Sequence, residues 1–205
     1  MYYHSTWWYQ SIRPHHSAGV FMLGELFTRL KNDNDKLSKT NISTVSLLGP
    51  CCRSRYFDRN ILKTVCKQIS TKSLTVFNLN PTSEKSMDPA MAPYGKSLAS
   101  LVSNSFYDEK PAPIIALDEC WQEEVVKILD DPICKLSDKI DYVLSGEKYR
   151  NSEQYKCKAS YHGEFDNDAD TMNYILRKMI GRSRSRGFDP DLSGFSNEQL
   201  NRGSF

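Results

Sequence analysis

The sequence predicts an α/β domain that is built on a mostly parallel sheet. Between Val45 and Lys67, an apolar, β-branched run ends at Gly49-Pro50 and a helical pattern follows. Along the rest of the chain, runs typical of strands alternate with helical patterns. A strand, a tight turn and a helix form the first half of a Rossmann-like unit, in which ligands bind beyond the carboxyl ends of the strands. We therefore expect a single Rossmann-like domain.

Three segments are expected along the chain. Residues 1–41 form an aromatic N-terminal arm and a helix over 18–31, and residues 42–180 form the Rossmann-like domain. Residues 181–205 contain an RSRSR run among Gly, Ser and Asn, which is typical of a mobile basic tail.

The remaining elements are predicted from local patterns. Apolar or alternating runs predict strands at residues 42–48, 74–79 and 156–161, and a strand or an extended segment at 111–117. Apolar residues three and four apart predict helices at residues 61–69, 98–106, 118–129, 136–144 and 172–180. The prolines of residues 81–93 predict a loop over 82–93.

The composition is typical of a globular protein that folds around a substantial core. The 205 residues are 39% hydrophobic and 25% charged, and the formal net charge of +2 says little about partners. No run approaches the ~20 apolar residues of a membrane span, and the first residues lack the pattern of a signal peptide. We therefore expect no membrane partner, a cytoplasmic location and free thiols on the six cysteines.

The sequence contains no recognisable cofactor motif. It lacks a Gly-rich dinucleotide fingerprint, a P-loop and a G-x-S-x-G elbow. His4, His15 and His16 do not have the spacing of a structural zinc site. We therefore expect neither an organic cofactor nor a metal.

Cys51 is the first candidate for a reactive group. It lies in the turn before a helix, where a thiolate is favoured, so the sequence predicts a lowered thiol pKa. A thiol nucleophile needs a base and donors for the oxyanion that it creates. Side chains of the right kinds are Tyr142, Glu147, Tyr161 and His162. Taken alone, each of them is explained better by ordinary packing than by a catalytic role.

A basic stripe lies on the predicted helix that follows Cys51. Arg55, Arg59, Lys63 and Lys67 recur every four residues, on the face opposite the apolar one. Like charges at this spacing cost a helix roughly 0.2–0.5 kcal/mol per pair, which a polyanion offsets. A second basic cluster comprises Arg177, Lys178, Arg182, Arg184 and Arg186. A solvated cationic face remains the alternative interpretation of the stripe.

The segment LLGPCCRSRYF resembles the nucleophile segment of the tRNA-dependent cyclodipeptide synthases, which reads approximately L-x-G-x-S-x-x-N-S-Y-F. In this alignment Gly49 matches the glycine and Tyr56-Phe57 match the aromatic pair. Cys51 stands where the family has its nucleophilic serine, which makes the intermediate a thioester. Ser54 stands where the family has asparagine.

Three further pieces follow in the family's order, so that the resemblance spans roughly residues 42–165. The segment DYVLSGE resembles the helix that ends in the family's Y-V-x-x-E motif, and Tyr161-His162 are similar to its strand-end Tyr-His. Tyr94 stands near the position of a pocket tyrosine. Two features depart from the family. Glu147 follows Tyr142 by five residues rather than four, and the long basic helix before the pocket tyrosine is absent.

The resemblance implies a fold similar to the catalytic domain of class I aminoacyl-tRNA synthetases. It also implies that two aminoacyl-tRNAs give a diketopiperazine through acyl- and dipeptidyl-enzymes on Cys51, with no cofactor. Tyr142 and Glu147 would hold the α-amino group, and Tyr161 with His162 would support the oxyanion. Acidic residues near the expected pocket, Asp118 and Glu119 together with Glu147, favour a cationic side chain such as that of arginine. Exposed acidic residues at a helix start explain them equally well.

Two other classes of function remain open at this point. A cysteine-dependent Rossmann-like hydrolase or transferase that acts on a small metabolite needs Cys51 but not the basic stripe. A nucleic-acid-binding protein without chemistry needs the stripe but not Cys51. The sequence determines neither the two amino acids that would be joined nor the oligomeric state.

Overall fold

The structure is a computed structural model that describes residues 15–32, 42–67, 71, 73–86, 94–129 and 139–180. Within these ranges, four parallel strands form one sheet in the order β1-β2-β3-β4. The strands are β1 (His15–His16), β2 (Thr44–Leu48), β3 (Ser73–Asn78) and β4 (Ile140–Leu144). The prediction of an α/β domain with a parallel sheet is confirmed. The predicted tail, residues 181–205, lies outside the described residues.

Helices connect and flank these strands. Helix α1 is Gly19–Asn32, and α2 comprises Ser54–Phe57, a π-helical segment Asp58–Leu62 and Lys63–Lys67. Helices α3 and α4 are Pro81–Lys85 and Leu98–Ser105. Helix α5 comprises Asp118–Cys120, a π-helical segment Trp121–Val125 and Val126–Leu129, and α6 is Ala169–Ile180. Among the described helices, none combines the length and the apolar character that a membrane crossing requires.

Helices α1, α2 and α5 pack on one face of the sheet. Parallel strands in sequential order need crossovers of one hand, which bring the connecting helices to the same face. Alternate strand residues point to that face, among them Val45, Leu74 and Val76. The helices meet them with buried apolar side chains: Val20, Leu23, Phe27, Ile61, Leu62, Val65, Trp121 and Val125.

Helix α6 belongs to the apolar cluster on the opposite face of the sheet. Leu48, Phe77 and Val143 lie side by side in register and are fully buried. Tyr174 and Ile175 of α6 are buried in the same cluster. Both faces of the central strands are thus buried.

Three local predictions were wrong. Residues 140–144 form β4 rather than a helix, since they pair with β3 along their whole length. Residues 156–161 form no strand, and the bridge Lys148↔Tyr155 is isolated. For residues 111–117 a strand or an extended segment was predicted; they form no strand, and Ile114 forms an isolated bridge with Arg53. The alternation of residues 157–160 reflects burial of Cys157 and Ala159 without a ladder partner. Helix α3 occupies the start of the predicted loop, because Asn80 accepts from the N–H groups of residues 82 and 83.

Candidate active site

The turn after β2 places Cys51 at the carboxyl edge of the sheet. The Gly49 N–H donates to the Phe77 carbonyl at 2.8 Å, which ties the start of the turn to β3. The Cys51 N–H donates to the Ser17 carbonyl at 3.3 Å, which ties its end to the residue after β1. The thiol therefore projects from the edge at which parallel α/β sheets bind ligands.

Cys51 meets His162 in this edge. The Cys51 Sγ lies 3.8 Å from His162 Nε2, and both residues are buried. Gly49 makes room for the imidazole: a Cβ on Gly49, whose φ is +50°, would lie 2.6 Å from His162 Cε1. Glycine at position 49 therefore allows the His162 ring to pack directly against the backbone. The structure thus brings together two of the predicted site residues, Cys51 and His162.

His16 supports His162 from the neighbouring strand. Its Nε2 lies 2.8 Å from the His162 carbonyl, and because a carbonyl only accepts, this nitrogen carries the proton. The two imidazole rings also stack, with centroids 4.9 Å apart and planes 26° apart. His16 was not predicted for this site; it was considered only as a metal ligand, for which the spacing of a structural zinc site is absent. Its pairing with His162 depends on the register of β1. A strand of two residues is too short to show a pattern in the sequence from which this register could be predicted.

Both partners of the Cys51–His162 contact are neutral. Burial raises the pKa of the Cys51 thiol to about 11; a hydrogen bond with Ser17 opposes this shift and the charge of Glu84 adds to it. Burial, and then the charge of His16, lowers the pKa of His162 to about 3. The predicted low thiol pKa was therefore wrong, since burial outweighs the proximity of a helix N-terminus. Such a pair acts by passing the thiol proton to imidazole as the thiol attacks.

All four free cysteines in the described part of the chain are buried, and burial raises the pKa of each thiol. The pKa is raised to about 11 for Cys51, to about 12 for Cys120 and for Cys157, and well above its usual range for Cys52. The contact with His162, and not ease of ionisation, marks Cys51 as the candidate reactive thiol.

Glu84 of helix α3 is the carboxylate whose charge raises the pKa of the Cys51 thiol. Its Oε1 accepts from the hydroxyl groups of Ser97, which is buried, and of Ser100, at 3.4 Å. Cys51 belongs to the same buried cluster as Ala99, which lies between these two serines. This carboxylate was not predicted, because residues 82–93 were expected to form a loop.

Tyr142 belongs to a polar network on the α5 side of the sheet. Its hydroxyl donates to Asp118 Oδ1 at 2.8 Å and accepts from Asn78 Nδ2 at 3.2 Å, while its ring stacks on Trp121. Burial, a hydrogen bond to Asp118 and the charge of Asp118 raise the pKa of Tyr142, so the phenol stays protonated. Asn78 Nδ2 also donates to the Ile115 carbonyl at 2.6 Å. The sequence predicted Tyr142 and Asp118 for the site but missed Asn78.

Glu147 has other partners than Tyr142. It forms an ion pair with Lys156, whose side chain is nearly buried, and accepts from the Leu144 N–H at 3.4 Å. It lies in the turn after β4 and not at a helix end. The described contacts therefore do not join Tyr142 and Glu147 in one amine-binding pair.

The other predicted site residues lie at varying distances from this centre. Tyr161 is half-buried beside His162, and Ser54 is buried, with its N–H bonded to the Pro113 carbonyl at 3.0 Å. The Tyr94 hydroxyl donates to the Ser100 carbonyl at 3.4 Å, next to the serines that hold Glu84. Glu119 is exposed on α5.

The basic stripe is solvent-exposed where the structure describes it. Arg55, Arg59 and Lys63 are exposed on α2, and Lys63 forms an ion pair with Asp58 at 2.7 Å. The Lys67 side chain lies outside the described residues. In the second cluster, the Arg177 guanidinium donates to Tyr149 at 2.9 Å and Lys178 pairs with Asp141 at 2.8 Å. Arg182, Arg184 and Arg186 lie outside the described ranges.

Among the described side chains, no group of three His, Cys, Asp or Glu residues is arranged to hold a metal ion. Comparisons of the chain with protein-family models, with curated protein sequences and with solved structures found no match. The function proposed below therefore depends on the geometry of the site and on the motif resemblance.

Proposed function

We propose that this chain is an aminoacyltransferase that resembles the tRNA-dependent cyclodipeptide synthases, with Cys51 as nucleophile and His162 as its general base. The observation that carries the proposal is the 3.8 Å contact between Cys51 Sγ and His162 Nε2 at the carboxyl edge of a parallel sheet. The relation of this sheet to the catalytic domain of class I aminoacyl-tRNA synthetases is part of the proposal.

In the first step, Cys51 attacks the ester carbonyl of an aminoacyl-tRNA. The thiol proton passes to His162 Nε2, so the buried thiolate never has to exist free of its partner. The tetrahedral oxyanion collapses, the bond to the tRNA 3′-terminal oxygen breaks, and His162 returns the proton to that oxygen. The products are an aminoacyl thioester on Cys51 and uncharged tRNA. Tyr161, beside His162, is the side chain that we assign to the oxyanion.

In the second step, the amino group of the acyl-enzyme attacks the ester of a second aminoacyl-tRNA and displaces its tRNA. The resulting dipeptidyl-enzyme carries a new free amine. This amine attacks the thioester carbonyl, closes the six-membered diketopiperazine ring and releases the Cys51 thiol. The ester of aminoacyl-tRNA is already activated, so the residues described here suffice for each transfer.

The exposed cations of α2 support tRNA as the carrier of the acyl group. The helix begins three residues after Cys51, and Arg55 and Arg59 are exposed along it. If the sugar-phosphate backbone of the tRNA acceptor arm follows this helix, the aminoacylated 3′ end of the arm lies near the Cys51 thiol. Because aminoacyl-tRNA is found in the cytoplasm, we also propose a cytoplasmic location for this chain.

The test uses total tRNA charged with all twenty amino acids, so that no amino acid has to be chosen in advance. After rapid acid quenching, intact-protein mass spectrometry should show aminoacyl adducts on the parent chain that hydroxylamine removes. Cys51→Ala should show none, whereas the matched control Cys52→Ala should be acylated like the parent. Extracts of expressing cells should contain cyclic dipeptides. Adducts that persist in Cys51→Ala would place the nucleophile elsewhere.

A second candidate is a cysteine-dependent transferase or hydrolase that acts on a small activated acyl compound. It is favoured by one observation: the Cys51–His162 contact is complete without the cations of α2. Replacing Arg55 and Arg59 by glutamate distinguishes the two candidates. Acylation by a small thioester should survive this change, whereas acylation by aminoacyl-tRNA should not.

A further inference from the structure

Arg53 follows Cys51 by two residues and is fixed beside the cluster that contains the thiol. Its backbone forms an isolated antiparallel bridge with Ile114, which is fully buried in one cluster with Cys51. Tyr107 packs against the same cluster, and the Arg53 guanidinium lies over the Tyr107 ring, 5.5 Å from its centroid. Two residues of chain span at most about 7 Å. A cation is therefore held in the neighbourhood of the candidate nucleophile.

One edge of the Arg53 guanidinium is only half occupied. Its Nη2 donates to Glu109 Oε2, whereas Nε, on the same edge, is buried and has no hydrogen-bond partner within the described ranges. A buried donor without an acceptor is unfavourable, and native structures contain few of them. Glu109 is exposed and the Arg53 side chain is partly exposed, so an anion from solvent can take the place of Glu109.

A phosphate group has the chemistry that this edge requires. Its oxygens accept two parallel hydrogen bonds from Nε and Nη2 of one arginine, whereas Glu109 occupies Nη2 alone. In an aminoacyl-tRNA, the ribose that carries the acyl ester also carries the 5′-phosphate of the terminal nucleotide. An ester carbonyl that reaches the Cys51 thiol therefore brings this phosphate with it. Arg55 and Arg59 are exposed further along α2, where the preceding phosphates can follow.

We propose that Arg53 binds the 5′-phosphate of the terminal nucleotide of the acyl donor, in place of Glu109, and so positions the ester at Cys51. The inference rests on the proposed function for the identity of this donor. Arg53 stands at an unspecified position of the motif that LLGPCCRSRYF resembles, so its role comes from the geometry alone.

The first experiment compares two ligands that differ only in the phosphate, adenosine 5′-monophosphate and adenosine. NMR titration at low salt measures both dissociation constants. The parent should bind the monophosphate at least about tenfold more tightly. Arg53→Met keeps the aliphatic stem of the side chain and should lose this preference. The matched control is Arg29→Met, which removes an exposed arginine from its ion pair with Glu25. Equal binding of the two ligands by the parent, or no measurable binding, overturns the inference.

Glu109→Gln tests the same site in the opposite direction and stays informative if Arg53→Met does not fold. Without the competing carboxylate, binding of the monophosphate should become about two- to fivefold tighter, while binding of adenosine stays unchanged. The matched control is Glu153→Gln, which removes the carboxylate from another exposed ion pair, that with Lys148. If Glu109→Gln binds the monophosphate no better than the parent does, Glu109 does not occupy a phosphate site.

A second experiment separates the inference from the proposed function. The donors are 2′(3′)-O-aminoacyl esters of adenosine 5′-monophosphate and of adenosine, and intact-protein mass spectrometry follows the initial rate of Cys51 acylation. Arg53→Met should slow on the phosphorylated donor alone. If it keeps the preference of the parent, or slows equally on both donors, the inference is wrong while acyl transfer stands. If the parent binds the monophosphate through Arg53 but neither these donors nor charged tRNA acylate Cys51, the phosphate site stands and the proposed function fails.

Discussion

His16 holds His162 by two contacts at once: a hydrogen bond of 2.8 Å from its Nε2 to the His162 carbonyl, and a stack of the two imidazole rings. The hydrogen bond fixes the backbone and the stack fixes the ring plane. His162 is thereby aimed at Cys51 by a residue that belongs to the edge strand of the sheet.

The buried imidazole predicts acid-sensitive folding. The pKa of His162 is lowered from 6.5 to about 3 in the folded chain, so the unfolded chain binds the proton more readily between these values. The stability that neutral His162 contributes is complete above about pH 6.5 and falls as the pH decreases toward 3, by up to about 1.4 kcal/mol per pH unit. Urea unfolding between pH 7 and 4 should show this slope in the parent. In His162→Gln the slope should be much smaller; an unchanged slope contradicts the assignment.

The raised thiol pKa predicts the pH profile of alkylation. Because the Cys51 pKa is raised from 9.0 to about 11, its rate of reaction with iodoacetamide should still increase between pH 9 and 10. Peptide mapping after short labelling times measures this rate, with Cys120 and Cys157 as internal references that should react more slowly. A plateau below pH 8 would show that the thiol is activated in a way that this geometry lacks.

Substitution of Gly49 should be costly. An alanine Cβ would meet the His162 ring at 2.6 Å on a backbone with φ of +50°. Left-handed strain and overpacking each cost about 1–3 kcal/mol, so Gly49→Ala should lose at least about 2 kcal/mol of unfolding free energy. The control is Gly163→Ala, whose Cβ meets Tyr161 at an ordinary 3.6 Å and should cost less than about 1 kcal/mol. Equal losses in chemical denaturation would argue against the close approach of His162.

The hydroxyl of Tyr142 should contribute to stability. Tyr142→Phe removes the donor to Asp118 and the acceptor of Asn78, and a lost hydrogen bond to a charged group costs about 1.5–3 kcal/mol. Tyr94→Phe is the control, because the hydrogen bonds of the Tyr94 hydroxyl to described residues are both 3.4 Å long and should contribute less than about 0.5 kcal/mol. Thermal and urea unfolding of the two variants measure the difference. If the two losses are alike, the network around Asn78 is not formed.

Helix α2 should carry tRNA binding. In Arg55→Glu/Arg59→Glu two exposed cations are reversed, while the Lys63–Asp58 ion pair is left intact. Each phosphate contact adds up to about −0.9 to the slope of log K against log salt, so the slope should flatten by about two. Filter binding with tRNA at several salt concentrations measures it. Lys127→Glu/Arg150→Glu makes the same change in net charge at other exposed positions, and an equal effect there would reduce the stripe to a solvated face.

The sequence predicted the β2–α2 unit correctly because its signals agree: an apolar run, Gly-Pro and a helical stripe. The prediction of a helix over residues 136–144 failed for a definite reason. Ile140, Val143 and Leu144 fit a helical face, but Ile140, Tyr142 and Leu144 also fit the alternation of a strand. Only pairing with β3 decides between the two patterns, and that pairing is not local.

Only part of the site was predicted, again because some of its features depend on contacts between distant residues. Cys51 and His162 were both identified, although 111 residues separate them, because each stands in a recognisable motif. The ionisation of the thiol was mispredicted, since the depth of burial depends on packing against distant residues such as Ala99 and Ile114. Glu84 was missed because Pro81 indicated a loop, whereas proline at the first position of a helix is favourable.

The placement of α6 on the second face of the sheet has a consequence for the order of folding during synthesis. A nascent chain that has emerged only through β3 presents Leu48 and Phe77 without Tyr174 and Ile175, which lie about a hundred residues further on. The Cys51 thiol likewise lacks its partner until residue 162 has emerged. The growing chain therefore keeps this apolar surface exposed, and the Cys51 thiol without its contact to His162, until the last described helix has left the ribosome.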